Sequence, residues 1–248
     1  MTVLVPDGAR ELLGEAYGPM ERYAELLLTG GVERGLIGPN EAPRLWERHL
    51  LNSAAVASLL PQTATVVDLG SGAGLPGVVL ALQVPTLRVI LLDATKRRTD
   101  FLSEVVTELG IADRVEVVWG RAEALPSFHA DIVVARAVGP LNKLAGWAMP
   151  HLIGGGSLLA MKGESAAEEL NRDAAGLHRL GVISTALVSV PAVGSELPVR
   201  VIRLVKGSRT GPVRRPRPQP TKPVSASRAN RRTLPRSGSS SAERERGT

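Results

Sequence analysis

The run Val67-Asp68-Leu69-Gly70-Ser71-Gly72-Ala73-Gly74-Leu75-Pro76-Gly77 is where residue type and spacing first point to chemistry. Glycines at this density let a backbone turn tightly and let a ligand approach without a Cβ in the way. Gly72, Gly74 and Gly77 satisfy the G-x-G-x-x-G spacing of dinucleotide sites, a weak match taken alone. Asp68, just before the glycines, would repel a pyrophosphate at the next helix N-terminus and attract a cationic group. Asp93 ends the next apolar run, where a carboxylate can reach the ribose hydroxyls of a nucleoside in a bidentate contact. Nicotinamide dinucleotides share that second acid, so Asp68 and the long glycine run decide. They favour a nucleoside with a cationic amino group and a sulfonium, S-adenosylmethionine, held by Asp68, Gly70, Gly72, Gly74 and Asp93. Gly120-Arg121-Ala122-Glu123 follows a third apolar run, from which its backbone and Glu123 could meet the adenine. The plainer alternatives are a glycine turn in a ligandless α/β protein and an exposed loop charge.

The elements that must position these residues alternate along the chain. Short apolar runs at Thr65–Leu69, Arg88–Asp93, Arg114–Trp119, Asp131–Ala135 and Ser157–Lys162 read as buried strands. Helices are expected at about 75–83, 96–109, 140–150 and 165–180, the second ending at Gly110. A turn at Gly154-Gly155-Gly156 precedes the fifth strand. Two last strands, about 182–190 and 198–205, have no helix between them and should pair antiparallel. Two helical stretches, about 8–28 and 41–59, come first. This pattern calls for an α/β Rossmann-like fold, a doubly wound, mostly parallel seven-stranded sheet with N-terminal helices. Residues 1–60 form a helical extension, 61–206 the cofactor-binding core and 207–248 a basic tail.

Composition bounds the rest. Aromatic residues are only 3% of the 248, so the core is built from Val, Leu, Ile and Ala. With no cysteine, disulfides, cysteine-ligated zinc and a cysteine nucleophile are excluded, and a reducing compartment is suited. His129, His151 and His178 show no metal-ligand spacing; they read as structural and no metal is expected. The start has early acids and no long apolar stretch, unlike a secretory signal, and no window approaches a membrane span; a soluble cytoplasmic protein is expected. Of the 30 Lys+Arg and 24 Asp+Glu, 11 and 2 fall in 207–248, leaving an acidic body of 19 against 22. That tail, with six prolines and no aromatic residue, reads as disordered. It is either a nonspecific polyanion contact or a solvated appendage.

The residues also limit the acceptor. Methylation of an exocyclic amine commonly uses an Asn/Asp-Pro-Pro-aromatic turn after the fourth strand, whereas this chain has Val134-Ala135-Arg136-Ala137-Val138-Gly139-Pro140-Leu141. Cytosine C5 chemistry needs a cysteine. A ring nitrogen with a free lone pair, such as guanine N7, loses no proton on attack and needs chiefly orientation.

The chain resembles the RsmG (GidB) family of small-subunit rRNA guanine-N7 methyltransferases from about Pro39 to about Lys206. The likeness rests on Trp46-Glu47-Arg48-His49-Leu50-Leu51-Asn52-Ser53, on Asp68–Gly77, and on Leu92-Asp93 with Lys96-Arg97-Arg98 and Phe101-Leu102. Ala135-Arg136-Ala137 and Ala160-Met161-Lys162-Gly163 complete it. It implies that Gly70, Leu75, Ala122, Glu123 and Arg136 line the S-adenosylmethionine site, and that a guanine of decoding-region 16S rRNA, naked or in the 30S subunit, receives the methyl group. Asn52 departs from the family's usual Asp, and the tail lies outside the shared region.

Arg136 and Lys162 stand at the carboxyl ends of the fourth and fifth strands, beside the crevice where such folds act, and are the expected catalytic residues. An ion pair is the alternative for Arg136. Arg48 and His49 are candidate phosphate contacts, against simple helix capping or solvation. Lys96 and Arg97 open a helix with Arg98, against the macrodipole's preference for acids, which an RNA-facing patch would explain. A monomer is the default. Rival readings are a small-molecule methyltransferase, a nicotinamide-dependent oxidoreductase, which Asp68 disfavours, and a noncatalytic RNA-binding protein.

Overall fold

The computed structural model describes residues 4–38 and 40–208. The expectations for the tail from residue 209 onward lie outside the described residues. Seven strands, β1 (Thr65–Leu69), β2 (Arg88–Asp93), β3 (Val115–Trp119), β4 (Ala130–Arg136), β5 (Leu152–Lys162), β6 (Val182–Val190) and β7 (Val199–Lys206), form one sheet in the order β3-β2-β1-β4-β5-β7-β6. Strands β1 to β5 run parallel, and β7 pairs antiparallel with both β5 and β6. The Rossmann-like sheet expected from the sequence is therefore present, with the expected antiparallel pair at one side.

Side chains alternate faces along a strand, so a nearly continuous apolar run serves two cores at once. Val66, Leu91, Val134 and Leu159 pack on one face with helices α4 (Gly77–Gln83) and α5 (Lys96–Glu108). Val67, Leu92, Val133 and Leu158 pack on the other with α6 (Leu141–Ala148) and α7 (Ala166–Arg179). The glycine triplet differs from expectation. It lies inside β5 instead of ahead of it, and the pairing with β4 shifts register there, between Ala130 and Ile132.

The N-terminal segments also differ from two plain helices. The first breaks into α1 (Ala9–Leu13) and α2 (Tyr17–Leu26), because Gly14 at φ +51° leaves the helical region, and then widens into a π turn at Leu27–Gly31. The second is a 3₁₀ turn at Ala42–Arg44, a π turn at Leu45–Leu51 and a short helix α3 (Asn52–Ala55). Widened turns recur at functional sites, and this one carries Arg48 and His49. Both segments join the first core through Met20, Tyr23, Leu27, Leu45 and Leu50, each fully buried. Tyr17 stacks on Trp46 at 5.7 Å between centroids, fastening one segment to the other.

Because Trp46 is 3% exposed and carries that stack, Trp46→Ala should destabilise the fold by about 3–5 kcal/mol in urea titration. A loss below 1 kcal/mol would mean that the two segments are not held together there.

Candidate active site

The glycine loop leaves the carboxyl end of β1, and β4 lies on the other side of β1 from β2, so strand order reverses beside it. A crevice opens at such a switch point. Two features fix the loop. From below, Asp68, fully buried, accepts the Gly77 N–H at 2.9 Å. A Cβ on Gly77 would lie 2.6 Å from that carboxylate oxygen and 2.4 Å from Leu91, so only glycine permits the contact. From the side, the Tyr23 hydroxyl donates to the Ala73 carbonyl at 2.7 Å. Gly74, at φ +102°, leaves the space that hydroxyl needs, since a Cβ would lie 2.6 Å from it.

A cleft of about 200 Å³ opens above the loop, lined by Leu69, Gly70, Asp93, Arg98, Ala122 and Glu123 among others. Of the expected cofactor residues, Gly70, Asp93, Ala122 and Glu123 meet here. Asp68, Gly72, Gly74 and Leu75 do not line the cleft but build its floor. Gly72 donates its N–H to Asp93 at 3.0 Å, and Gly74 and Leu75 pack inward. Asp93 is 3% exposed and also accepts from Thr95 N–H at 2.8 Å and from Arg98 at 3.3 Å. A carboxylate offers about four acceptor positions, so a two-point contact to a ribose requires Arg98 to give way. The Ala122 carbonyl, in the lining of this cleft, is held by buried His151 Nε2 at 3.0 Å.

Burial lifts the Asp68 carboxyl to about 7, against the lowering effect of the Gly77 and Ser71 contacts. Its second oxygen, Oδ1, is buried with no hydrogen-bond partner among the described residues. The floor thus combines glycines, an orphan carboxylate oxygen and a second acid. Those residues suit a cationic nucleoside cofactor and oppose a pyrophosphate.

A second, wider cleft of about 1090 Å³ lies between the segment 41–52, the ends of β4 and β5, and the loop 194–200. Arg48, His49, Arg136 and Lys162 all line it. Arg136 donates to His49 Nδ1, and to the His49 carbonyl at 3.4 Å. With Nδ1 accepting, the proton of a neutral His49 sits on Nε2, which donates to Glu41 at 2.9 Å. Burial and the neighbouring Arg136 both push the His49 pKa down, in keeping with that neutral form. His49 is therefore a brace for Arg136. Lys162 donates to the Gly139 carbonyl at 2.8 Å and pairs with Glu169 at 3.0 Å, and Glu169 accepts the Leu141 N–H that opens α6 at 2.6 Å. Its ammonium ties the loop after β4 to α7 instead of pointing free at an acceptor. Lys96 and Arg97 lie outside both clefts, exposed on the first turn of α5, with Lys96 paired to Asp100.

The clefts meet at Arg136-Ala137-Val138, the first two residues lining the wide cleft and Val138 the narrow one. Ala137 holds φ +56°, a conformation uncommon for a residue with a Cβ, at that junction.

The GidB family profile, rRNA small subunit methyltransferase G, matches residues 17–197. The chain belongs to this family. It is 50% identical over 215 residues to the ribosomal RNA small subunit methyltransferase G of Streptomyces coelicolor, covering 85% of this chain and 88% of that one. It is 51% identical over 225 residues to the protein of the same name from Thermobifida fusca, covering 87% and 93%. A solved S-adenosylmethionine-dependent methyltransferase, SibL in its apo form, shares the fold at a TM-score of 0.55 and 18% identity, covering 81% of this chain and 75% of that one. The family match begins at residue 17, upstream of the motifs that carried the resemblance, and so takes in Tyr23.

Sequence reasoning missed Tyr23, Gly77's steric role and the contact of Arg98 with Asp93. A tyrosine on the apolar face of an N-terminal helix reads as core, and only the fold brings it to a loop 50 positions away. Tyr23→Phe should cost about 1 kcal/mol of stability and weaken S-adenosylmethionine binding severalfold by calorimetry; unchanged affinity would remove the hydroxyl from loop positioning.

Proposed function

We propose that this protein methylates N7 of a guanine in the decoding region of 16S rRNA, with Arg136 orienting the base. The protein is an S-adenosylmethionine-dependent methyltransferase acting on small-subunit rRNA. The observation that carries the proposal is the braced Arg136 at the junction of the cofactor cleft with a cleft wide enough for a nucleotide. When bound, the cofactor supplies a methyl group on a sulfonium, and the products are S-adenosylhomocysteine and a cationic 7-methylguanine.

The residues of the chain supply binding and orientation. Gly70, Asp93, Ala122 and Glu123 hold the nucleoside end, and Asp68 acts from beneath the loop as a buried acid that attracts the cation in its ionised form. Arg136 has guanidinium N–H groups beyond those given to His49 and Ser53, and these donate to guanine O6 or its phosphate while N7 stays free. In-line attack by the N7 lone pair transfers the methyl without a base to take a proton. Lys162 is a positioning residue that holds the loop carrying Val138, Gly139 and the start of α6. Arg48, on the rim, and Lys96 and Arg97, on α5, face the rRNA backbone, whereas both ring nitrogens of His49 are taken by Arg136 and Glu41. Asn52 lines the acceptor cleft, where it replaces a charge by an amide. We further propose that the protein works as a cytoplasmic monomer on the small subunit; among the described residues no helix is long and apolar enough to cross a membrane.

Methyl-labelled S-adenosylmethionine and small subunits lacking the modification test the reading, with the label mapped by cleavage at 7-methylguanine. Label at one decoding-region guanine is expected, and Arg136→Ala should lower kcat/KM by about 100-fold. Cofactor binding without any label in rRNA would move the acceptor to a small molecule. A separate outcome concerns pH. An Asp68 that titrates near 7 in the free protein must ionise to attract a cationic ligand, so cofactor affinity should rise as pH climbs through about 7 and then level off. Asp68→Asn should flatten that profile; a profile that still rises would assign the titration to another group.

A further inference from the structure

Trp119 closes β3, an edge strand, and is 60% exposed. An indole left in water forgoes much of the apolar burial that makes tryptophan a core residue. This one is held in place: Nε1 donates to the Ala94 carbonyl at 3.1 Å, and Lys96 Nζ lies 6.0 Å from the ring centroid. No other aromatic ring contacts it among the described residues. Arg97 and Arg98 follow Lys96 on the first turn of α5, and Arg121, two residues along the chain from Trp119, lines the cofactor cleft with Arg98. Lys96 pairs with Asp100 and Arg98 with Asp93, whereas Arg97 and Arg121, both exposed, have no ion pair among the described residues. Its neighbours Gly120 and Ala94 line the cofactor cleft, so the ring stands on the outer rim of that cleft, away from the wide cleft at Arg136.

We infer that Trp119 is a stacking platform for an unpaired base of the rRNA, with Arg97 and Arg121 on the flanking phosphates. The inference rests on rRNA being the substrate and adds a contact apart from the methylated guanine. A rigid exposed ring beside unpaired cations matches single-stranded RNA, whose splayed bases stack on aromatic faces and whose backbone is drawn to positive charge. The platform gives the enzyme purchase on a nucleotide elsewhere in the target loop, so that the guanine is presented at Arg136 in one register.

The test uses the full chain with Trp119→Ala and Trp119→Phe, small ribosomal subunits, naked 16S rRNA and S-adenosylmethionine. Trp119→Ala should raise KM for either RNA substrate by about tenfold, with kcat and calorimetric cofactor affinity retained; Trp119→Phe should keep most of the affinity. Unchanged KM, or a loss of cofactor affinity that places the indole over the adenine, would overturn the platform. So would an effect seen with subunits and absent with naked rRNA, which would put a ribosomal protein on the ring. Wild-type protein that binds cofactor but methylates neither RNA would overturn the substrate reading and the platform together. Wild-type transfer with unaltered Trp119→Ala kinetics would overturn the platform alone.

Discussion

The hydrogen bond from Gly77 N–H to the buried Asp68 carboxylate is the contact on which the site depends. A carboxyl taken from water into an apolar floor loses hydration, and the loss shows as its pKa near 7. One backbone N–H and the Ser71 contact recover part of it, and Oδ1 is left unpartnered. The arrangement needs a residue without a Cβ at Gly77, and Tyr23 steadies the loop at Ala73. The N-terminal segments thus belong to the cofactor site as much as the sheet does. Without α2 the loop would lose its lateral hold.

A second set of contacts fixes the acceptor side. Arg136 is drawn back by His49, whose ring is turned by Glu41, so the guanidinium is set by the segment bearing the π turn. Lys162 and Glu169 pin Gly139 and Leu141, immediately beyond the strained Ala137. The junction of the clefts is therefore held from both ends, as an orientation mechanism requires: in-line displacement tolerates little misplacement, and a rigid wall costs no ordering at the moment of reaction.

Much of this was legible in the sequence where local pattern and physics coincide. β1 and β2 fall at the expected residues because short apolar runs between turn signals have few other uses. Gly70, Asp93, Ala122 and Glu123 do meet at one cleft, since a doubly wound sheet gathers its strand ends there. The helical breaks at Gly14 and around Leu45–Leu51 were not legible, because tertiary packing outweighs propensity in short segments. Nor were the partners of Lys162, Asp93 and Asp68. A charge near a strand end looks the same in sequence whether it reaches a substrate or ties down a loop, and Tyr23 stands 50 positions from the loop carbonyl that it holds.

The most direct test is a crystal structure with S-adenosylhomocysteine bound. The account predicts the nucleoside over Gly70 and against Ala122, its ribose on Asp93 with Arg98 moved aside, and the Asp68–Gly77 and Tyr23–Ala73 hydrogen bonds unchanged. A ligand seated elsewhere, or a loop that abandons those two bonds to receive it, would contradict a cofactor site built in advance by the floor beneath it.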